Sequence, residues 1–178
     1  MHWYNEPPQW EARGDNIIVT AGAKSDFWRI THYGFIRDNG HFYALDVGGD
    51  FQVDIEVAGE YRDLYDQAGL MLRLDAENWI KCGIEFVHGV QQASVVVTRG
   101  VSDWAVTPLP SNPPSIFLRL IRKGDGVEVY ISEDSEQYRM LRLAFFPTAE
   151  FVQVGPMCAA PDGAGFRVTF RGFSLEAL

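Results

Sequence analysis

Residues 67–86 read QAGLMLRLDAENWIKCGIEF, and the way their side chains alternate decides what kind of fold the chain adopts. Successive side chains of a strand point to opposite sides. In the first half, Ala68, Leu70, Leu72 and Leu74 share one face, while Gln67, Gly69, Met71 and Arg73 share the other. In the second half, Ile80, Cys82, Ile84 and Phe86 form an apolar face opposite Trp79, Lys81, Gly83 and Glu85. Asp75-Ala76-Glu77-Asn78 between them is a polar connector of hairpin length. The stretch reads as a central antiparallel hairpin with one face in a core. Its other face, with Arg73, Trp79, Lys81 and Glu85, reads as a binding surface.

The flanking sequence repeats the pattern. Residues 50–57 alternate strictly, with Phe51, Val53, Ile55 and Val57 facing a core and Asp50, Gln52, Asp54 and Glu56 facing away. Segments 16–21, 26–30 and the β-branched run 93–99 read as strands. Between residues 33 and 45, Asp38-Asn39-Gly40 suits a tight turn pairing Phe35-Ile36 with Phe42-Tyr43. Trp3 to Trp10 brackets Pro7-Pro8 and belongs at an edge, because a proline pair cannot sit in a central strand. Residues 100–107 read as a loop carrying Asp103 and Trp104, and the four prolines of 108–114 as an irregular crossing. The last third is a meander over 116–122, 127–132, 138–143, 151–157 and 166–175. About a dozen strands and no helix of three turns predict an all-β fold of two stacked antiparallel sheets. One sheet is expected to curve into a concave polar face.

Length and composition set further bounds. At 178 residues and 47% hydrophobic, the chain suits a single domain over residues 1–178. A formal charge of -9 with dispersed Lys and Arg argues against nucleic-acid binding. No apolar run approaches the ~20 residues that cross a bilayer. The start, MHWYNEPPQW, lacks a signal-peptide pattern, so a cytoplasmic location is expected. Cys82 and Cys158 read as buried thiols, and no Cys, His or acid spacing matches a known metal motif. No cofactor or metal is expected.

The strings NEPPQW, DFWR, YGFIRDNGHF, YDQAGLMLR, ENWIKCGIEF, VVVTRGVSDW and VGPMCAAPDGAGFRVTF run from one end of the chain to the other. Together they resemble an uncharacterised family, some of whose members carry the label "regulation of enolase", placed in the concanavalin A-like lectin/glucanase superfamily. The resemblance implies a jelly-roll sandwich. It implies no activity, since such folds host lectins, glycosidases and interaction modules alike.

The candidate ligand-binding residues are Trp28, Asp54, Gln67, Arg73, Trp79, Lys81, Glu85, Arg99 and Trp104. Sugars suit such a set, because pyranose faces lie on aromatic rings and polar groups satisfy the hydroxyls. Three cations (Arg73, Lys81, Arg99) favour an acidic or phosphorylated sugar or related polar small molecule over a neutral one. Two other readings stand beside non-catalytic binding. In one, the chain is a regulatory module that meets a protein partner through Trp3, Trp10 and Trp104. In the other, it is a glycoside hydrolase whose carboxylates come from different strands, with Glu85 paired to Asp54 or Asp103. The Glu-x-Asp-x-Glu run of retaining glucanases in the resembled superfamily is absent.

Overall fold

The computed structural model describes residues 1–178 and contains sixteen strands and no helix. They are β1 (His2–Tyr4), β2 (Gln9–Arg13), β3 (Asn16–Thr20), β4 (Phe27–Arg29), β5 (Ile36–Asp38), β6 (His41–Gly48), β7 (Phe51–Gly59) and β8 (Gln67–Arg73), followed by β9 (Asn78–Val87), β10 (Val90–Arg99), β11 (Val101–Leu109), β12 (Ile116–Lys123), β13 (Gly126–Ser132), β14 (Arg139–Phe145), β15 (Phe151–Ala159) and β16 (Arg167–Ala177). Seven of them, in the order β1-β6-β15-β8-β9-β10-β11, make one antiparallel sheet; seven more, β14-β13-β12-β7-β16-β3-β2, make the other. The result is a jelly-roll sandwich of the concanavalin A-like type. No helix is long and apolar enough to cross a membrane.

The alternating residues fill the space between the sheets. A core of 31 buried residues takes Ala68, Leu70, Leu72, Ile80, Cys82 and Ile84 from β8 and β9, and Phe51, Val53, Ile55 and Val57 from β7. The predicted hairpin forms in register, with Gln67 opposite Glu85 and Arg73 opposite Trp79. Both cysteines are buried and free.

Three expectations are corrected. Residues 101–109 form β11, the edge strand of the first sheet, not a loop; Pro108 fits there because an edge strand has one side without ladder bonds. Phe35-Ile36 does not pair with Phe42-Tyr43. Instead β5 pairs with β4 as a separate two-stranded flap, and β6 joins the sheet beside β1 and β15. Asp38-Asn39-Gly40 is therefore the crossing from flap to sheet, fixed by Asn39 and Gly40 N–H groups donating to Asp26 O. Finally, the concave face is only partly polar. Beneath the flap, Phe27, Phe42, Ala44, Met71, Trp79, Val96 and Met157 form a second apolar cluster, so this part of the molecule has a third layer.

Candidate ligand-binding site

The flap is anchored to the rim of the first sheet. The Arg29 amide donates to Ser102 Oγ at 2.9 Å, and its guanidinium reaches Gly100 O at 3.0 Å and Glu77 Oε1 at 2.8 Å. The flap's turn is tight, with Ile30, His32 and Gly34 all at positive φ. Its aromatic side chains exceed what two three-residue strands can bury. Phe27 goes inward against Trp79, whereas Trp28, Tyr33 and Phe35 form a wall, with Tyr33 stacked on Phe35 at 5.3 Å and Trp28 edge-on to Tyr33 at 5.8 Å.

Where the apolar filling under the flap ends, a cavity of about 260 Å³ remains. Trp28, Tyr33 and Phe35 of the flap line it on one side, and Tyr65 and Trp104 on another; Gln67, Lys81 and Glu85 of β8 and β9 also line it. Asp26, Arg37, Pro161 and Asp162 complete the lining. The Tyr33 and Tyr65 hydroxyls meet at 3.3 Å, tying the flap to the segment before β8.

The polar residues of β8 and β9 are ordered around a missing rung. Gly69 and Gly83 are opposite one another between the Met71–Lys81 and Gln67–Glu85 pairs. A Cβ on Gly69 would fall 1.9 Å from Cys82 O, and one on Gly83 2.2 Å from Ala68 O. With no side chain on this rung, Lys81 spans it to the amide oxygen of Gln67. Its ammonium also donates to Phe27 O at 2.8 Å and stands 3.7 Å from Asp26 Oδ1. Three acceptors therefore surround a buried cation, which is how an interior charge is tolerated. Glu85 is 8% exposed, and Ser94 Oγ donates to its Oε2 at 2.9 Å. Burial pushes the Glu85 carboxyl above the usual carboxylate range, against the opposing pull of Lys81 and Ser94.

Five of the nine residues proposed from sequence line this cavity: Trp28, Gln67, Lys81, Glu85 and Trp104. Four do not. Trp79 is 1% exposed within the apolar cluster, so it packs under the flap and has no face free for a ligand. Arg73 is used on the closed half of the face, with both terminal nitrogens on Asp38 at 2.9 and 3.0 Å and the guanidinium over the Tyr4 ring at 4.4 Å. Arg99 ends β10 outside the cavity, over Phe145 at 5.3 Å. Asp54 belongs to β7 of the other sheet, on the side away from the core, where it accepts from Arg119 at 2.7 Å. Asp103 is outside as well, 3.5 Å from Arg142 and lining a separate, more open groove that Trp28 and Trp104 also border. Neither carboxylate named as a partner for Glu85 therefore faces it.

Sequence reading missed Asp26, Tyr33, Phe35, Arg37, Tyr65 and Asp162. The aromatic surplus of residues 27–35 was the available signal. Trp3 and Trp10 gather elsewhere with Tyr43, at 5.4 Å from each other and at 4.7 and 5.6 Å from the tyrosine. This is a separate edge patch, and Trp104 is not part of it. His41 is a structural latch: its Nε2 accepts the Gly22 N–H at 2.9 Å and its Nδ1 donates to Asn5 O at 2.7 Å.

A family model described as "Protein of unknown function (DUF1349)" matches residues 3–178. The Saccharomyces cerevisiae protein called "Regulation of enolase protein 1" is 38% identical over 175 residues, covering 98% of this chain and 88% of that one. A solved structure of a functionally unknown protein, also from Saccharomyces cerevisiae, superposes with a TM-score of 0.95 at 38% identity, covering 99% of this chain and 95% of that one. The carbohydrate binding module CBM66 from Bacillus subtilis superposes with a TM-score of 0.62 at 15% identity, covering 98% of this chain and 95% of that one. The last likeness concerns the fold alone.

Proposed function

The chain belongs to this DUF1349 family, and from that premise we propose that it binds a neutral carbohydrate, one sugar ring at a time, in the cavity between the flap and the first sheet. The observation that carries the reading is the lining: aromatic rings of Trp28, Tyr33, Tyr65 and Trp104 around Gln67, Glu85 and Asp26. Aromatic faces cover the C–H side of a sugar, and amide and carboxyl groups take its hydroxyls. A cavity near 260 Å³ lies below the ~300–1,000 Å³ of sites for drug-sized ligands, which suits a single ring. A carbohydrate-binding module of the same fold supports the reading by analogy.

The charge balance moves the proposal from acidic to neutral sugars. Arg73 is closed against Asp38, Arg99 lies outside, and Lys81 is held by three acceptors. The cationic triad that favoured a phosphate or carboxylate is therefore not assembled. At the lining, Arg37 and Lys81 stand among Asp26, Glu85 and Asp162, so the cavity holds no excess of basic residues.

A thermal-shift screen against neutral sugars, sugar acids and sugar phosphates tests this. A ligand at a hundred times its dissociation constant adds ~2.7 kcal/mol of stability. A neutral sugar should raise the melting temperature of the wild type and that of a folded Trp104→Ala variant by about half as much. Equal response of wild type and variant, or no response to any neutral sugar, would overturn the proposal.

A further inference from the structure

We infer that the cavity is also a hydrolytic centre, in which Glu85 protonates the leaving oxygen of a glycosidic bond and Asp26 accepts a proton from the attacking water. The inference rests on the reading of the cavity as a sugar site. Hydrolysis of a glycoside needs two carboxyl groups facing one ring, one to give a proton and one to act as base or nucleophile. Sequence reasoning paired Glu85 with acids that lie elsewhere, whereas the fold brings Asp26, from the start of the flap, to the same cavity.

The two carboxyls sit in contrasting surroundings. Glu85 is at the sheet end, buried, and held by the hydroxyl of Ser94, which is itself fixed by the Trp104 indole N–H at 3.1 Å. Asp26 Oδ1 accepts the Phe27 N–H at 2.8 Å and stands 3.7 Å from the Lys81 ammonium. The sheet and the flap thus each bring one carboxyl to the same cavity, the placement that an acid and a base acting on one bond require. Lys81 stands near both and holds them in position.

The step uses water as co-reactant. The bond from the anomeric carbon to the leaving oxygen breaks, its electron pair stays on that oxygen, and the proton of Glu85 moves there. The water oxygen bonds to the anomeric carbon, and its surplus proton passes to Asp26. Proton return through solvent from Asp26 to Glu85 restores the site. The groups facing Glu85 are Lys81 on its own strand, Gln67 across the ladder, Ser94 and Trp104 from β10 and β11, and Asp26 and Tyr65 from outside the sheet. With these fixed, the rate falls as pH rises through the titration of Glu85.

The test uses the full chain with 4-nitrophenyl and methyl glycosides of neutral sugars. General acid catalysis contributes ~10²–10⁴-fold, and matters most when the leaving group is poor. Glu85→Gln should lose at least ~100-fold on the methyl glycoside and far less on the 4-nitrophenyl glycoside. Asp26→Asn should lose activity on both. Each variant should keep the cooperative unfolding of the wild type in the absence of sugar, which shows that the fold survives. No turnover by a wild type that neutral sugars do stabilise would overturn the hydrolytic centre and leave binding intact. No stabilisation at all would overturn both. An unchanged rate in Glu85→Gln on the methyl glycoside would remove Glu85 as the acid.

Discussion

One face of the β8–β9 hairpin does two different things along its length. At the end marked by Arg73 and Trp79 it is sealed: the tryptophan is fully buried, the arginine is paired to Asp38, and the flap packs directly on both. At the end marked by Gln67 and Glu85, past the glycine rung, the same flap stands clear and leaves a cavity. Both ends carry polar residues on the same face of the two strands. What separates them is the filling: Phe27, Phe42, Met71 and Met157 occupy the closed half, and no side chain occupies the open one. Composition of a sheet face therefore does not make a site; incomplete cover does.

The two halves should respond differently to mutation. Trp79→Ala should cost ~3–5 kcal/mol of stability in denaturant unfolding, because it leaves a large cavity in a filled layer. If the cost is below ~1 kcal/mol, the closed half is not packed as described. Arg73→Met should cost ~2–3 kcal/mol, less than the ~3–5 of a fully buried broken pair, because Asp38 keeps 25% of its side chain in solvent. Trp104→Ala in the open half should weaken sugar binding roughly tenfold, the scale of one lost aromatic contact, while costing less stability than Trp79→Ala. Titration calorimetry and urea unfolding of the same variants check the two against each other.

Protonation sharpens the contrast further. Glu85 and Asp66 are both pushed up by burial, so the folded state binds protons that the unfolded chain has released. These groups stabilise below the unfolded pKa near ~4, and that stability is lost as pH rises through their raised folded values. His41 is shifted down by burial and gives the opposite slope, losing stability as pH falls below ~6.5. Glu85→Gln should flatten the decline on the upper side without touching the His41 limb, as read by unfolding at several pH values. The smallest effect belongs to Asp54→Asn. Its pair with Arg119 is partly exposed, so the cost should stay below ~1 kcal/mol, with sugar binding unchanged.

The alternation of 51–57 and 67–86 made the sandwich readable, because a period of two admits one assignment once an apolar face must be buried. The site was half readable for the same reason. Gln67, Lys81 and Glu85 are on the outward face that the pattern identifies, but the pattern is silent about what covers that face. Trp79 and Arg73 therefore looked like ligand contacts when they are contacts of the flap. Asp26 was missed because it only precedes a strand of three residues and its partner, Lys81, is 55 positions away, beyond any local spacing rule. The Asp38-Asn39-Gly40 turn showed a similar limit: turn chemistry marks where the chain bends and not which strands it then joins.

The five tryptophans report on the central claim in one spectrum, since each indole N–H gives its own nitrogen-proton correlation. On titration with the neutral sugar that most raises the melting temperature, the signals of Trp28 and Trp104 should move together, while those of Trp79, Trp3 and Trp10 stay in place. Movement of Trp3 and Trp10 with Trp28 and Trp104 still would contradict the account, placing recognition on the edge patch instead of in the open half of the sheet face.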